Sequence, residues 1–448
     1  MFITYVRAIF LSTFALYFFI APAGILIHDL RDPGLHNGQV PLFTYRWHKQ
    51  LSSGFASWAS NRVKSEKASK LDAQDISGTE WPMFSAVYYL WATESLQSNW
   101  ESNQAVSPVM PKIYAKKAIE ASAQLISDPD NAAWVIEHWG EDYLHQENVF
   151  YRMLLIAGLT SYQKLTGDEQ YRSMLLDQVN TLSKELDDSQ FGLLDDYPGQ
   201  CYPVDILPAI AVISRADEVL GSDHSQFVTR SLRAFKDTRL DKKTNLPAYI
   251  ANAKTGHGSG SARGVGISYM LIWAPELWPK LAREWYKQYD KYFWHEGTLI
   301  SGFRELPKGS DADAYFFDVD AGPVIAGYGV AASAFGIGAA RVNNQADQAY
   351  ALGAEALVSS WPLPNGTLMI SKLLSNFSDA PYLGETALLF AMTREKILEG
   401  NHRKEIGLPY FVYIIMFFYL AFGLTCLVKS IRMLFIFHAN HKERQNAI

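Results

Sequence analysis

The sequence predicts an all-α protein, an (α/α)6 toroid of six helical hairpins, with a transmembrane helix flanking it at each end. Three observations lead to this prediction. Apolar residues recur at helical spacing in segment after segment, with few alternating runs that would indicate strands. Long polar connections alternate with short ones, as a closed ring of hairpins requires, because one rim is tight and the other bears longer loops. Two uncharged stretches lie near the chain ends.

The first uncharged stretch covers residues 8–27, about twenty residues, which is the length that crosses the hydrocarbon core of a bilayer. A cleaved signal peptide is the alternative, but its apolar region is shorter and ends in small residues. We therefore expect residues 1–30 to form a retained anchor. Residues 31–79 would be a juxtamembrane segment, in which an amphipathic helix over residues 45–70 lies near the membrane surface.

The second uncharged stretch, residues 408–428, precedes a basic tail that contains Lys429, Arg432, Lys442 and Arg444. Basic residues favour the cytoplasmic side of a membrane. This predicts a two-pass protein of the cell (inner) membrane, with both termini cytoplasmic and the main domain extracytoplasmic, that is, periplasmic. Basic residues just before this stretch weaken the bias. The toroid would occupy residues 80–400, and the last helix and tail residues 401–448.

Between these ends, the helical segments pair into roughly six hairpins. Their expected positions are residues 81–100, 112–126, 148–165, 169–186, 203–220, 225–235, 262–274, 276–289, 321–341, 344–359 and 386–398. The long connections between them carry the polar clusters. Loops on a rigid frame are where chemistry is usually found, so the pattern predicts one site at one mouth of the ring.

Composition limits the classes of function. The net charge of −6 is spread without long runs of one sign, which argues against nucleic acid as a partner. The two cysteines, Cys201 in a central loop and Cys426 in the second uncharged stretch, are not expected to pair. The spacings of His and Cys that build transition-metal sites are missing. We therefore expect no transition-metal site.

The central loop, residues 191–205, is broken by Pro198, Gly199 and Pro203 and cannot form a continuous helix. Its adjacent carboxylates, Asp195 and Asp196, are candidate catalytic residues, because like-charge repulsion and partial burial can hold one of them protonated as a general acid. A plain surface turn is the alternative.

Four more residues of this loop are candidates. Cys201 is either a catalytic thiol or a small buried hydrophobe. Asp205 either binds substrate or caps the helix that follows. Tyr197 and Tyr202 are candidate substrate-binding residues that flank the thiol.

The other candidates lie where loops meet helices. His145, next to Glu147, has the side-chain type that titrates near neutrality and serves as general acid or base, or it caps a helix. Arg263 ends a glycine-rich segment that lacks the Lys-Ser/Thr ending of a phosphate loop, so we expect it to bind a carboxylate or hydroxyl. Three acids complete the predicted substrate-binding set, and each is also a plain helix cap: Glu80, Asp318 and Asp320.

Two motifs carry a family resemblance. The helix that starts Asn148-Val-Phe-Tyr151 ends in Leu165-Thr-Gly-Asp168, and the loop after it reads Pro198-Gly-Gln-Cys201-Tyr-Pro203. In these the chain resembles the six-hairpin toroid superfamily, and within it most the linalool dehydratase-isomerase-like proteins. The resemblance implies an extracytoplasmic lyase or isomerase without metal or organic cofactor, which protonates a hydroxyl and removes a proton elsewhere.

Carried over to this chain, the family's site implies His145, Tyr151 and Cys201 as catalytic residues. The family's better-known member uses two cysteines in its site, whereas this domain has one. That difference argues against linalool or any particular terpenoid as the expected substrate. The substrate class that the resemblance implies is a small hydrophobic alcohol or alkene.

Two other functions stay open. Paired carboxylates on the same ring would suit a glycosidase or polysaccharide lyase acting on a saccharide. A membrane-anchored binding or assembly protein could keep the ring without the chemistry, since fold alone does not decide function.

Overall fold

The structure, a computed structural model, describes residues 2–72, 75–237, 240–310, 315–377, 380–400 and 406–446. It is mostly helical with few strands, which confirms the predicted helical class. The helices are α1 (Phe2–Ala15), α2 (Ala21–Asp29), α3 (Pro33–Asn37), α4 (Phe43–Lys64), α5 (Ile76–Ser102), α6 (Pro111–Tyr114), α7 (Lys116–Ser127), α8 (Ala133–Trp139), α9 (Val149–Thr166), α10 (Arg172–Asp188), α11 (Pro203–Leu220), α12 (Ser225–Asp237), α13 (Gly264–Leu277), α14 (Pro279–Phe293), α15 (Val330–Val342), α16 (Ala346–Ser360), α17 (Met369–Phe377), α18 (Leu383–Thr393) and α19 (Tyr410–Asn446).

Local sequence explains where these helices begin and end. α11 starts at Pro203, whose ring fixes φ near the helical value and whose missing N–H is not needed in the first turn. It ends at Gly221, which takes the left-handed conformation (φ 70°) that glycine adopts without strain. α5 starts after Asp75, whose carboxylate accepts the N–H of Gly78 at 3.1 Å.

Six helices pack against each other in a cycle. α5 contacts α9, α9 contacts α11, α11 contacts α13, α13 contacts α15, α15 contacts α18, and α18 contacts α5. We call α5, α9, α11, α13, α15 and α18 the ring helices. Outside them, α7 packs on α5 and α9, α10 on α9 and α11, α14 on α13, α16 on α15, and α4 on α7 and α18.

The ring helices start at a common end. Before each one, the chain returns along an outer helix, so successive ring helices run in the same direction. Tyr197, just before α11, bonds to Glu80 near the start of α5. Likewise Arg263, just before α13, pairs with Asp318 in the strand segment that precedes α15. We call this end of the ring helices the site end and the other the far end.

Aromatic side chains fill the space between the ring helices. Trp91 of α5 lies 4.5 Å from the ring of Trp273 on α13 and 5.0 Å from that of Phe390 on α18, measured between ring centroids. Tyr88 stacks on Phe390 at 5.2 Å. All four side chains are buried, so the ring encloses a packed core instead of an open pore.

Short strands decorate the site end. β1 (Ile250–Ala251) pairs antiparallel with β2 (Gly258–Ser259), and β3 (Trp294–His295) with β4 (Gly302–Phe303). β5 (Phe316–Asp318), β6 (Gly322–Ile325) and β7 (Tyr328–Gly329) form a three-stranded sheet in which Asp318 lies opposite Gly322. The predicted helix over residues 321–341 is therefore too long at its start. Positive φ angles at Gly322, Ala326 and Gly327 interrupt a helix there, and α15 begins only at Val330.

Two terminal helical stretches are long and apolar enough to cross a membrane, Ile3–Asp29 and Tyr410–Ile436, as the sequence predicted. They pack on each other through α1 and α19. The Ser12 hydroxyl lies 2.7 Å from that of Ser430, which also donates to Ala8 O at 2.6 Å. By contrast, the helix expected near the membrane surface over residues 45–70 is α4, which ends at Lys64 and buries Trp47 and Phe55 in the core.

Candidate active site

A group of carboxylates meets at the site end, around the starts of α5 and α11. Glu80 is the fifth residue of α5, just after its first turn, and Asp205 lies in the first turn of α11. Asp320 is in the turn between β5 and β6. It is close enough to Glu80 and Asp205 for its charge to raise the pKa of both groups. We call Glu80, Asp205 and Asp320 the carboxylate cluster.

In this cluster, the pKa of Asp205 is raised further above its ordinary value than that of Glu80. Burial raises the pKa of the Asp205 carboxyl to about 8, and the charges of Asp320 and Glu80 add to the effect. Two buried tyrosines, Tyr88 and Tyr269, lie near it, since the charge of Asp205 raises the pKa of both phenols in addition to their burial. Asp205 is therefore protonated at neutral pH, in a setting of hydroxyl groups.

Glu80 has a partner in the central loop. The hydroxyl of Tyr197 donates a hydrogen bond to its Oε1. Burial nevertheless raises the pKa of Glu80 to about 7, since the bond from Tyr197 offsets only part of the desolvation and Asp320 raises it further. Its carboxyl is then divided between the two protonation states near neutrality.

Asp320 is held by a hydroxyl from another loop. Tyr249, next to β1, donates a hydrogen bond to its Oδ2. Burial raises the pKa of Asp320, which the bond from Tyr249 opposes and the charge of Asp318 increases. The residue as a whole is still exposed to solvent, although neighbouring groups cover enough of its carboxyl to raise the pKa.

Arg263 contacts three residues around the carboxylate cluster: Glu305, Asp318 and Tyr249. Its Nε lies 2.8 Å from Oε1 of the buried Glu305, and its Nη1 lies 3.0 Å from Oδ2 of Asp318. The guanidinium also stacks over the ring of Tyr249, 4.8 Å from its centroid. Arg263 thereby ties the start of α13 to the β5–β6 turn and to the tyrosine that contacts Asp320.

Asp318 differs from its neighbour Asp320. Although burial alone would raise it, the hydrogen bond from Arg263 lowers the pKa of Asp318 below the ordinary value. It also accepts the N–H groups of Asp320 and Ala321 at 3.0 and 3.1 Å. These contacts make Asp318 a permanently charged group that shapes the turn and pairs with Arg263.

The central loop folds back on itself beside the cluster. Asp196 is buried, and its Oδ2 accepts the N–H of Tyr202 at 2.8 Å. Burial, followed by the charge of Asp205, raises its pKa well above the ordinary value. Asp195 lies at the loop surface instead, where its Oδ2 accepts the N–H of Gly199 at 2.7 Å. Of the two adjacent aspartates, Asp196 is the one that interacts with the cluster.

Cys201 lies in the same loop but is completely buried. Its carbonyl accepts the N–H of Ala251 at 2.9 Å, which joins the central loop to β1. Tyr202 follows it, with its ring 5.6 Å from that of Tyr249 in an edge-on arrangement. Tyr202 and Tyr249 thus form an aromatic wall next to Asp320.

The remaining predicted residues lie outside the cluster. His145 is exposed, and its ring nitrogens pair with Asp142 at 2.9 Å and Asp177 at 3.1 Å. These two hydrogen-bonded carboxylates raise the pKa of its imidazole. Tyr151 is buried within α9, where its hydroxyl lies 3.5 Å from Ile126 O.

The structure thus brings together seven residues predicted from sequence with four that sequence reasoning missed. The first group is Glu80, Asp196, Tyr197, Tyr202, Asp205, Arg263 and Asp320, with Asp318 attached through Arg263. The missed residues are Tyr88, Tyr249, Tyr269 and Glu305. No motif marks these four. Tyr88 and Tyr269 look like ordinary core aromatics on apolar helices.

Two other features bear on ligands. Among the residues that the structure describes, no group of three or more His, Cys, Asp or Glu side chains is arranged to hold a metal ion. A cavity of about 170 Å³ lies away from the cluster, between α4 and the start of α18, and Glu385 and Tyr382 line it. Glu385 accepts a hydrogen bond from Ser375 at 2.7 Å and is the one carboxylate among the described residues that line this cavity. The interacting carboxylates make the site end the better candidate for chemistry.

No protein-family model matches the chain, and no curated protein matches it. Function has to be argued from the site itself.

Proposed function

We propose that the protein is a membrane-anchored, cofactor-free acid–base enzyme that cleaves a glycan at the site end of an (α/α)6 toroid. The observation that carries the proposal is the carboxylate cluster, in which Asp205 and Glu80 have pKa values of about 8 and about 7. Cleavage of a glycosidic bond needs one protonated and one ionised carboxyl group. The cycle of ring helices, with outer helices packed around it, supports the toroid.

The environments of the three carboxyl groups suggest their roles. Asp205, which is protonated at neutral pH, would donate a proton to the leaving oxygen. Asp320, exposed and bonded to Tyr249, would act as the ionised partner. Glu80, bonded to Tyr197, would tune Asp205 through its charge. Tyr202 and Tyr249 would offer ring surfaces against which a sugar packs.

A saccharide is favoured over a small hydrophobic alcohol because of what surrounds the cluster. The side chains there carry hydroxyls and carboxyls, which suit a substrate with many hydroxyl groups. The lyase or isomerase of the linalool dehydratase-isomerase-like type would instead use His145 and Cys201. His145 pairs with Asp142 and Asp177 outside the cluster, and the side chain of Cys201 is completely buried, so that proposal has less support.

Location forms part of the proposal. The two apolar terminal stretches would anchor the chain in the inner membrane, with the ring in the periplasm and both termini in the cytoplasm.

The test is oligosaccharide cleavage by the purified full chain, with products identified by mass. We expect Asp205→Asn and Asp320→Asn to lose at least about 100-fold in rate, the usual scale for removal of a general acid or base. The matched control is Glu355→Gln. Glu355, on α16, is also a carboxyl whose pKa burial raises to about 7, but it accepts the N–H of Ser301, just before β4, and is not part of the carboxylate cluster.

Two further readouts sharpen this test. The wild-type rate should fall above about pH 8, because Asp205 then loses the proton that it donates. Cleavage in ¹⁸O-labelled water distinguishes a hydrolase, which incorporates the label, from a lyase, which does not. Full activity of Asp205→Asn would rule out the proposed acid.

A further inference from the structure

The terminal helices leave the molecule from the site end. α16 follows α15 after a short turn and packs antiparallel to it, so its last residue, Ser360, lies at the site end. The loop after β3 folds back along α16, where the N–H of Ser301 bonds to Glu355 at 2.8 Å. α19 starts beside this loop, where the N–H of Tyr410 bonds to Thr298 O at 3.0 Å. Further along α19, the hydroxyl of Tyr419 lies 3.3 Å from Val358 O in the last turn of α16. α19 therefore runs alongside α16 toward the site end and continues beyond it.

The N-terminal helices follow the same path in the opposite direction. The carbonyl of Leu30, after α2, lies 3.3 Å from the hydroxyl of Tyr350 in the middle of α16. The carbonyl of Phe18 accepts the indole N–H of Trp361, just after the end of α16, at 2.7 Å. The residues before Phe18 therefore also lie beyond the site end, where α1 packs on α19.

The length of this projection sets the distance between ring and membrane. From Tyr419 to Ile436, the end of the apolar stretch, α19 rises about 25 Å at the usual 1.5 Å per residue. The hydrocarbon core of a bilayer is about 30 Å thick. If this pair of helices spans the membrane, the hydrocarbon core takes up the whole apolar length of α19 beyond Tyr419. The rim of the site end then has to lie in the headgroup layer.

The rim has the side chains for such a position. Phe317 of β5 is 69% exposed and Ile325 of β6 is 51% exposed. Across the site end, Leu374 and Phe377 of α17 are 64% and 87% exposed. Large apolar side chains at a domain edge are costly in water and are favourable at a lipid interface. Phe317 is separated from Asp320 of the carboxylate cluster by only one turn of the β5–β6 hairpin.

We propose that the site end rests on the bilayer that holds the terminal helices, and that the substrate is a saccharide carried on a membrane lipid. The apolar rim formed by β5, β6 and α17 would enter the headgroup layer. The lipid of the substrate would stay in the bilayer while its sugar reaches Asp205. The bilayer contact rests on the membrane anchoring, and the substrate class rests on the glycan cleavage, that we propose above.

The contact is tested with the full chain in vesicles. A bimane fluorophore is attached to one introduced cysteine, Phe317→Cys, Leu374→Cys or Ile113→Cys. Each variant also carries Cys426→Ala, so that Cys426 does not react. Cys201 is kept, because it is buried. Ile113 is 62% exposed on α6, which follows the C-terminal end of α5 and therefore lies at the far end. With brominated acyl chains in the lipid, we expect loss of most of the emission at positions 317 and 374 and no loss at position 113. Equal emission at all three positions would overturn the contact.

The substrate class is tested with an oligosaccharide that the wild-type protein cleaves. The same sugar is offered on a lipid in these vesicles and free in solution, to the wild type and to the double variant Phe317→Asp with Leu374→Asp. We expect faster cleavage of the lipid-linked form by the wild type, and loss of that preference in the double variant.

The outcomes separate the two proposals. Quenching together with faster cleavage of the free sugar would overturn the lipid-linked substrate and leave glycan cleavage standing. Quenching without cleavage of any saccharide would overturn glycan cleavage and leave the bilayer contact standing.

Discussion

At the scale of single residues, Cys201 shows how a chemically plausible side chain can be a packing residue. Its neighbours in sequence are tyrosines, prolines and carboxylates. In the structure its side chain has no exposed surface, while its backbone links the central loop to β1. A thiolate has to be reached by its substrate before it can attack, so burial favours a role in packing for Cys201.

We expect Cys201 to resist thiol reagents in the folded protein. A chain with Cys426→Ser leaves Cys201 as the single cysteine. Treated with a maleimide in detergent, this variant should label only after denaturation, because the sulfur is covered on all sides. The control is Ile113→Cys in the same chain, which should label at once. Fast labelling of native Cys201 would instead return it to the list of catalytic candidates.

The carboxylates mark the limit of prediction at this scale. Glu80, Asp205 and Asp320 were each predicted as binding residues, because acids before or within a first helical turn are easy to recognise. Their meeting was only partly predictable. It depends on which loops face each other across the ring, and on Tyr249 and Glu305, which no motif identifies.

At the scale of helices, a buried ion network joins the far end of the ring. Glu94 of α5 lies 2.7 Å from the guanidinium of Arg215 on α11 and 2.9 Å from the ammonium of Lys164 on α9. Glu276 of α13 pairs with Arg394, just after α18, at 2.6 Å. Although burial opposes it, these cations lower the pKa of Glu94 to about 2. Arg215 also lies 3.8 Å from Glu276, so the network links α5, α9, α11 and α13 with the segment after α18.

Removal of the Glu94 charge should destabilise the fold. We expect Glu94→Gln to lower the free energy of unfolding by about 3 kcal/mol, because Arg215 then loses its closer charged partner in a buried site. Denaturant unfolding in detergent measures the change. The control is Glu218→Gln, which removes the exposed partner of Lys164 and should cost under about 0.5 kcal/mol.

The pH dependence of this effect has a defined sign. Since the pKa of Glu94 is lowered on folding, its contribution is present above about pH 4.5 and is lost as the pH falls toward 2. The difference between wild type and Glu94→Gln should therefore shrink in acid. A constant difference across that range would contradict the assignment of the stability to this ion pair.

Helix positions could be predicted well where helices are long and strongly apolar. α9, α10, α11 and α16 each begin and end within about three residues of the predicted bounds, the usual error of such predictions. Short elements were missed, including α3, α8 and α17, because two or three turns give too little periodicity. β6 and β7, just before α15, were predicted as helix, since positive φ at a residue such as Ala326 leaves no trace in composition.

At the scale of the whole molecule, the two ends of the chain act as one element. Residues near each terminus pair through Ser12 and Ser430, although they lie at opposite ends of the sequence. The sequence predicted two apolar helices but not their pairing, because the residue pattern of one helix does not indicate which other helix it packs on. If the pair spans the membrane as we propose, their common exit at the site end would bring the proposed chemistry next to the bilayer.

The orientation of this pair in the membrane gives the last prediction. Lys429 and Arg432 follow the second apolar stretch, and Arg7 lies near the start of the chain, so basic residues favour a cytoplasmic position for both termini. We expect Ile113→Cys to react with an impermeant maleimide on cells whose outer barrier has been opened. A tag after Ile448 should survive added protease until the inner membrane is lysed. The unsubstituted chain controls for background labelling. Labelling of Ile113→Cys only after lysis, with early loss of the tag, would place the ring and its carboxylate cluster in the cytoplasm, where a lipid-linked saccharide would have to be presented on the inner leaflet.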